Sequence, residues 1–214
     1  MFGKEENISN FEIEEKDIVR LLSGKTFTDE NFPVASFIIK KNIQKYIRAF
    51  YFFARTADDI ADHSTLLSKE KVKILTYFDI VLKQEKKTSI EALNNIINFF
   101  PEISFAKKYS RNLIKAFLMD AKGKKYQNWD DLVFYCKYSA NPVGRFVIDL
   151  IYQKTNLQQR NFKEIYFASD CLCTSLQIIN HLQDCKKDFL ELNRIYIPES
   201  FFKKYSLDKE ILNS

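Results

Sequence analysis

Four glycines and four prolines in 214 residues leave this chain few places to turn sharply. Architectures built from many short strands draw freely on both residues at their turns. A chain this poor in them favours long, uninterrupted helices. With 46% hydrophobic residues it carries enough apolar material for one large core. Its length fits one domain, spanning 1–214, better than two. The expectation is an all-α, single-domain bundle. The same scarcity excludes two nucleotide motifs. The glycines are Gly3, Gly24, Gly123 and Gly144, so neither GxGxxG nor a P-loop can be written.

The periodicity predicts a short helix over Glu12 to Leu22, stopping near Gly24, and a chain break at Asn31-Phe32-Pro33. A long helix follows from about Lys41 to His63. Ser68 is expected to cap the next, whose Val72, Leu75, Phe78 and Leu82 keep helical spacing. Thr88 with Glu91 forms a capping-box pattern opening a helix that ends before Pro101. Ser104 to Ala121 reads as a helix closed by Gly123, and Asn128 as the cap of Trp129 to Ser139, broken by Pro142. Asn161 with Glu164 opens a long helix to about Asp188, and Asp208 to Ser214 reads as a further stub. No internal repeat, low-complexity tract or linker stands out.

The net charge is +5, and the lysines fall in scattered pairs such as Lys40-Lys41, Lys107-Lys108 and Lys186-Lys187. A solvated surface explains them; attraction to anionic lipid or phosphorylated substrates is the weaker reading, and nothing suggests a nucleic-acid arm. Cys136, Cys171, Cys173 and Cys185 show no zinc spacing. Three of them sit on what reads as a buried helix, as reduced thiols suited to the cytoplasm. His63 and His181 lack metal-partner spacing, and His63 suits a helix C-terminus. Met1 to Asn10 is polar rather than a signal peptide, and no apolar run approaches a membrane span. The expected location is cytoplasmic, with peripheral contact at the inner membrane left open.

The chemistry lies in two stripes. Tyr51, Arg55, Asp58 and Asp62 stand at offsets 0, 4, 7 and 11, on one side of a helix. Their neighbours include Ile47, Phe50, Phe53, Ala57, Ile60 and Ala61, which predicts burial. Two carboxylates one turn apart on a buried helix repel each other and lose hydration. Arg55 compensates in part, and a hard cation could supply the rest. Gln177, Asn180, Asp184 and Asp188, at offsets 0, 3, 7 and 11, repeat the geometry among Leu172, Leu176, Ile178, Ile179 and Leu182. One Asp-x-x-x-Asp pair says little, because exposed helices often carry one. Two with matched spacing on apolar helices predict an oxygen-rich mouth over an apolar cavity. Such a mouth suits Mg²⁺, which binds carboxylates together with phosphate oxygens and water. The 20 Phe and 11 Tyr offer faces that stabilise a carbocation.

The segments Tyr51-Phe-Phe-Ala-Arg55-Thr-Ala-Asp58-Asp59-Ile-Ala-Asp62 and Gln177-Ile-Ile-Asn180-His-Leu-Gln-Asp184-Cys-Lys-Lys-Asp188 resemble the squalene/phytoene synthase family. So does the following Arg194-Ile-Tyr196-Ile-Pro198. Three further details resemble its bacterial hydroxysqualene synthase branch: Glu30 to Ser36, Tyr135 to Arg145, and Gln183 before Asp184.

The resemblance implies an isoprenoid-synthase-type bundle around a central cavity. It implies Mg²⁺-dependent conversion of presqualene diphosphate to hydroxysqualene, with water capturing the cation. By it, Asp58, Asp62, Asn180, Asp184 and Asp188 form the metal and diphosphate machinery, and Arg55 and Arg194 contact diphosphate. Tyr51, Gln177 and Tyr196 lie near the reacting centre. Ser36 is either a diphosphate contact or a turn hydroxyl; Asn141 and Gly144 either line the cavity or serve a turn; Tyr196 either acts or simply packs. The family continues through further C-terminal helices where this chain stops at Ser214, so an open bundle exposing an apolar face is expected, favouring a homo- or hetero-oligomer. Two rivals stay open: head-to-head condensation of two prenyl diphosphates, and a non-catalytic partner of a paralogue.

Overall fold

The computed structural model describes residues 13–24, 40–155 and 161–213, and in them all regular structure is helical. The elements in order are α1 (Glu15–Val19), α2 (Lys41–Asp62), α3 (Ser68–Gln84), α4 (Glu91–Ile97), α5 (Phe105–Ala121) and α6 (Trp129–Ser139). Then come α7 (Asn141–Thr155), α8 (Phe162–Gln183), α9 (Cys185–Leu192), α10 (Glu199–Lys204) and a 3₁₀ turn at Lys209–Asn213. The all-α expectation holds. The Asn31-Phe32-Pro33 break and Ser36 lie outside the described residues.

Helix α2 is the centre of the bundle and packs against α3, α4, α5 and α7. Phe53, Ala57, Ile60 and Ala61 are fully buried, and Ile43, Tyr46, Ile47 and Phe50 continue the same face. That i, i+3, i+4, i+7 pattern is the amphipathic signature that drives a helix into a core. Leu75, Phe78 and Leu82 of α3, Leu93 and Ile96 of α4, and Leu113 and Ile114 of α5 complete the principal core. A smaller cluster of Ala116, Tyr126, Leu132, Tyr135, Cys136 and Tyr196 joins α5 to α6 and to the segment after α9.

Local chemistry sets several helix ends. Asn128 accepts a hydrogen bond from the Asp131 N–H at 2.9 Å, capping α6 as expected. Gly123, at φ +63°, turns the chain beyond α5, and His63 ends α2. Ser68 does not cap α3: it is the first helical residue, and its hydroxyl donates to the Ala121 carbonyl at 2.6 Å. The reciprocal bond comes instead from Glu70, which accepts the Leu67 N–H. The Thr88/Glu91 box is also replaced. Asn94 holds both backbone groups of Thr88, and the Glu91 N–H goes to Glu15.

Two larger departures shape the site. Helix α7 was not expected, because Pro142 reads as a breaker; it sits instead in the first turn of α7, where its missing N–H costs nothing. The long helix anticipated from Asn161 to Asp188 divides at Asp184 (φ −95°, ψ 3°) into α8 and α9. Helix α8 is not buried either. It packs on α6 and α7 with one side, while Leu172 is 61% and Leu176 52% exposed on the other. Cys171 is exposed, and Cys173 and Cys185 are half-buried, so these thiols are not core groups. Among the described residues no helix is long and apolar enough to cross a membrane.

Candidate active site

Helices α2, α5, α6, α7, α8 and α9 surround a cavity of about 1010 Å³. From α2 come Tyr51, Arg55, Asp58 and Asp62; from α8 come Gln177 and Asn180; Asp184 stands at the α8–α9 break and Asp188 on α9. Arg194 and Tyr196 line it from the segment after α9. Ten of the thirteen residues singled out from sequence therefore share one cavity. Ser36 lies outside the described residues, and Asn141 is not among the lining residues. Asn141 is buried between helices, where it accepts a hydrogen bond from the Thr174 hydroxyl at 3.0 Å. Gly144 is likewise a packing residue. A Cβ there would run into the Ser169 hydroxyl and come within 2.6 Å of the Cys173 sulfur, so α7 and α8 meet at its bare backbone.

The α2 stripe is electrostatically organised. The Arg55 guanidinium donates to Asp58 at 2.9 Å and, through Nε at 2.9 Å, to Asp59. Asp59 was not expected to matter, since it lies off the stripe. It is buried and also accepts the Ser23 N–H (2.9 Å) and hydroxyl (3.0 Å), tying the segment after α1 to α2 and aiming Arg55 along it. The i, i+4 spacing of Arg55 and Asp59 was the available clue. Burial and the neighbouring Asp62 charge push the Asp58 carboxyl well above its usual range, against the pull of Arg55. The Asp58 side chain as a whole is nonetheless 34% exposed.

The second half is brought back by a turn. Asn193 ends α9 in the left-handed conformation, which asparagine tolerates, and the Arg194 N–H returns to the Asp188 carbonyl at 3.0 Å. Arg194 then donates to the Asp62 carboxylate and, at 2.6 Å, to the Ala61 carbonyl at the end of α2. On α8, Gln177 pairs with His181 at 3.1 Å, and His181 Nδ1 lies 3.9 Å from Asp188.

Beneath these charges lies a group that sequence reasoning missed. Asp120 of α5 is buried and accepts the hydroxyls of Tyr135 (2.7 Å) and Tyr196 (2.9 Å). Burial pushes its carboxyl up to about 7, opposed by Arg194 and the two hydroxyls. The same burial, with the Asp120 charge, raises both phenols. The Tyr196 ring stacks on His181 with centroids 3.6 Å apart. Tyr196 therefore both packs and lines the cavity, with its hydroxyl on a carboxylate rather than on backbone.

The remaining wall is apolar, with Ile47, Phe50 and Ala54 of α2, Leu113 and Phe117 of α5, and Val143, Phe146 and Val147 of α7. Phe50 and Phe146 stack at 4.0 Å. Among the described residues no three His, Cys, Asp or Glu side chains converge on one metal position. The two stripes offer carboxylate and amide oxygens, which fits Mg²⁺, since that ion takes one or two protein carboxylates and completes its shell from phosphate and water. Asp58, whose charge is left poorly compensated by its surroundings, is the kind of ligand such an ion would relieve.

Residues 27–214 match the sequence pattern described as squalene/phytoene synthase. The chain belongs to the squalene/phytoene synthase family. It is 44% identical over 178 residues to hydroxysqualene synthase of Rhodopseudomonas palustris, covering 83% of this chain and 58% of that protein. With hydroxysqualene synthase of Zymomonas mobilis it shares 42% over 186 residues, or 86% and 59% of the two chains. The crystal structure of squalene synthase HpnC from Alicyclobacillus acidocaldarius superposes with a TM-score of 0.69 at 26% identity, over 92% of this chain and 70% of that one. The isoprenoid-synthase helical fold expected from the motifs is therefore the observed one. The chain spans under three-fifths of the length of these curated family relatives.

Proposed function

We propose that this chain processes an isoprenoid diphosphate with the help of Mg²⁺, converting presqualene diphosphate to hydroxysqualene and diphosphate. The observation that carries the reading is the meeting of the α2 and α8–α9 carboxylates on one cavity whose deeper wall is hydrocarbon and aromatic. Asp58, Asp62, Asn180, Asp184 and Asp188 would hold the metal, which supplies charge neutralisation for the departing diphosphate. Arg55 and Arg194, each already fixed on an aspartate, add positive charge at the same mouth without reorganisation. The apolar wall would take the hydrocarbon and exclude bulk water, and Phe50, Phe117 and Phe146 would face a cationic carbon with electron-rich rings. The names of the 42–44% identical relatives support hydroxysqualene as the product.

Incubating the purified protein with presqualene diphosphate and Mg²⁺ and measuring diphosphate release tests the reading. No release above that of an Asp58→Asn, Asp184→Asn double variant would sink it. Product analysis with farnesyl and geranylgeranyl diphosphate separates it from head-to-head condensation.

The exposed apolar side of α8 favours one rival: a non-catalytic role in which this face pairs with another chain. A protein that releases no diphosphate but forms a stoichiometric complex with a family paralogue would support that rival.

A further inference from the structure

Away from the cavity, one surface mixes exposed aromatic rings with lysines that no acid neutralises. It forms where α10 is laid against the start of α6. The Glu199 and Ser200 N–H groups donate to the Tyr126 and Gln127 carbonyls at 2.9 and 3.0 Å, which sets the two helices side by side. Trp129 and Phe201 then meet edge to face, with ring centroids 6.4 Å apart. Val133 lies one turn beyond Trp129 and Tyr205 one turn beyond Phe201, so each helix extends the patch along its own side. These groups are not packed away: Trp129 is 48% and Tyr205 58% exposed, and Val133 and Phe201 are exposed with them.

Cations frame the rings. The Lys204 ammonium stands 5.3 Å from the Tyr205 ring centroid, and that of Lys124 5.1 Å from the ring of Phe134, which is exposed beside Val133. Lys125, Lys137 and Lys203 are exposed around them, and none of these five lysines forms an ion pair among the described residues. The acids beside the patch are fewer. Glu199 is paired with Lys209, and Asp131 is turned to the Gln127 N–H at 2.8 Å, next to the exposed Asp130. The exposed side of α8 makes the contrast: from Leu172 to Leu182 it carries no lysine, which suits a second apolar protein face. The α6–α10 surface suits a partner that is apolar and negative at once. A bilayer of anionic lipid has that chemistry, with phosphates for the lysines and the headgroup–acyl boundary for tryptophan and tyrosine.

We infer that the α6–α10 surface docks this protein on an anionic lipid bilayer, with Trp129 and Tyr205 entering the interface and the lysines lying over lipid phosphates. The inference goes beyond the proposed reaction, and its test needs no substrate. Trp129 is the only tryptophan in the chain, so its fluorescence reports on this patch alone. The full chain is mixed with vesicles of phosphatidylglycerol and phosphatidylcholine, and separately with vesicles of phosphatidylcholine alone. Flotation with the mixed vesicles is expected, together with a blue shift of Trp129 emission and its quenching by brominated acyl chains. Lys203→Gln, Lys204→Gln is expected to weaken partitioning about thirtyfold, from about fivefold per lysine at an anionic surface. Tyr205→Ser is expected to weaken it about tenfold. None of these three residues belongs to a core cluster, so the variants keep the fold, which their thermal midpoints check. Absence of flotation, equal flotation with phosphatidylcholine alone, flotation with unchanged Trp129 emission, or undiminished flotation of the lysine variant each overturns the inference and leaves the proposed reaction standing.

Discussion

Arg194 and Asp62, 132 residues apart in sequence, form an ion pair that fastens the segment after α9 to the last turn of α2. The same guanidinium holds the Ala61 carbonyl at 2.6 Å. One side chain thus ties together the two halves of the carboxylate mouth and satisfies a carbonyl at the helix end, where intrahelical partners run out.

Arg194→Ala is expected to destabilise the fold as well as the site. The Arg194 side chain is only 10% exposed, so its loss strands a charge, while Asp62 at 33% can recover some hydration. The cost is therefore placed below that of a fully buried pair, at about 1–3 kcal/mol. A urea titration checks it. Arg194→Lys, which keeps the charge but cannot span both acceptors in the same way, should fall between the two. Equal midpoints for wild type and alanine variant would show the pair to be idle.

Ligand binding should require metal and diphosphate together. Mg²⁺ alone finds no converged three-carboxylate position among the described residues. Mg²⁺ with inorganic diphosphate supplies the missing oxygens. At a hundredfold excess over the dissociation constant such binding stabilises by about 2.7 kcal/mol. A thermal shift is thus expected with both components, is small with either alone, and vanishes in Asp58→Asn, Asp184→Asn. A full shift with Mg²⁺ alone would mean a preformed metal site elsewhere.

Gly144→Ala probes the α7–α8 seam that carries the second stripe. The added Cβ would collide with the Ser169 hydroxyl and sit 2.6 Å from the Cys173 sulfur, so those two side chains must turn to other rotamers or α8 must give way. Overpacking of this kind costs about 1–3 kcal/mol. Because α8 bears Gln177 and Asn180, diphosphate release should fall along with stability. Loss of stability without loss of activity would show that the site tolerates a displaced α8.

The two stripes were legible because helical periodicity is a local property. Offsets of 4, 7 and 11 fix which side chains share a side before any tertiary contact is known. Which side meets a neighbour is not local. Leu172, Leu176 and Ile179 read as core, yet nothing among the described residues covers them. Helix α7 was hidden by Pro142, whose residue type signals a break equally well before a helix and after one. Asp120 was illegible for another reason. Its partners Tyr135 and Tyr196 lie 15 and 76 residues away, and a lone aspartate in an amphipathic helix carries no pattern.

Asp120 also gives the site a pH signature whose direction is opposite to ordinary acid denaturation. An aspartate in the unfolded chain titrates near about 3.9, whereas burial pushes Asp120 up to about 7 in the fold. Between those values the folded protein keeps a proton that the unfolded chain has released. The stabilisation is therefore fully present below about 4 and is lost as pH rises through about 7. Asp120→Asn imitates the protonated acid, with one acceptor and one donor group, and cannot ionise. The urea midpoint of the wild type relative to this variant should accordingly decline as pH is raised from about 5 to about 8, by a few kcal/mol at most given about 1.4 kcal/mol per pKa unit. Asp58 is raised in the same direction, in small part by the Asp120 charge itself, so the difference also carries that coupling; burial and Asp62, the larger causes, are common to both proteins. Midpoints that run parallel across this range would mean that Asp120 is ionised throughout, held so by Arg194 and the two phenols.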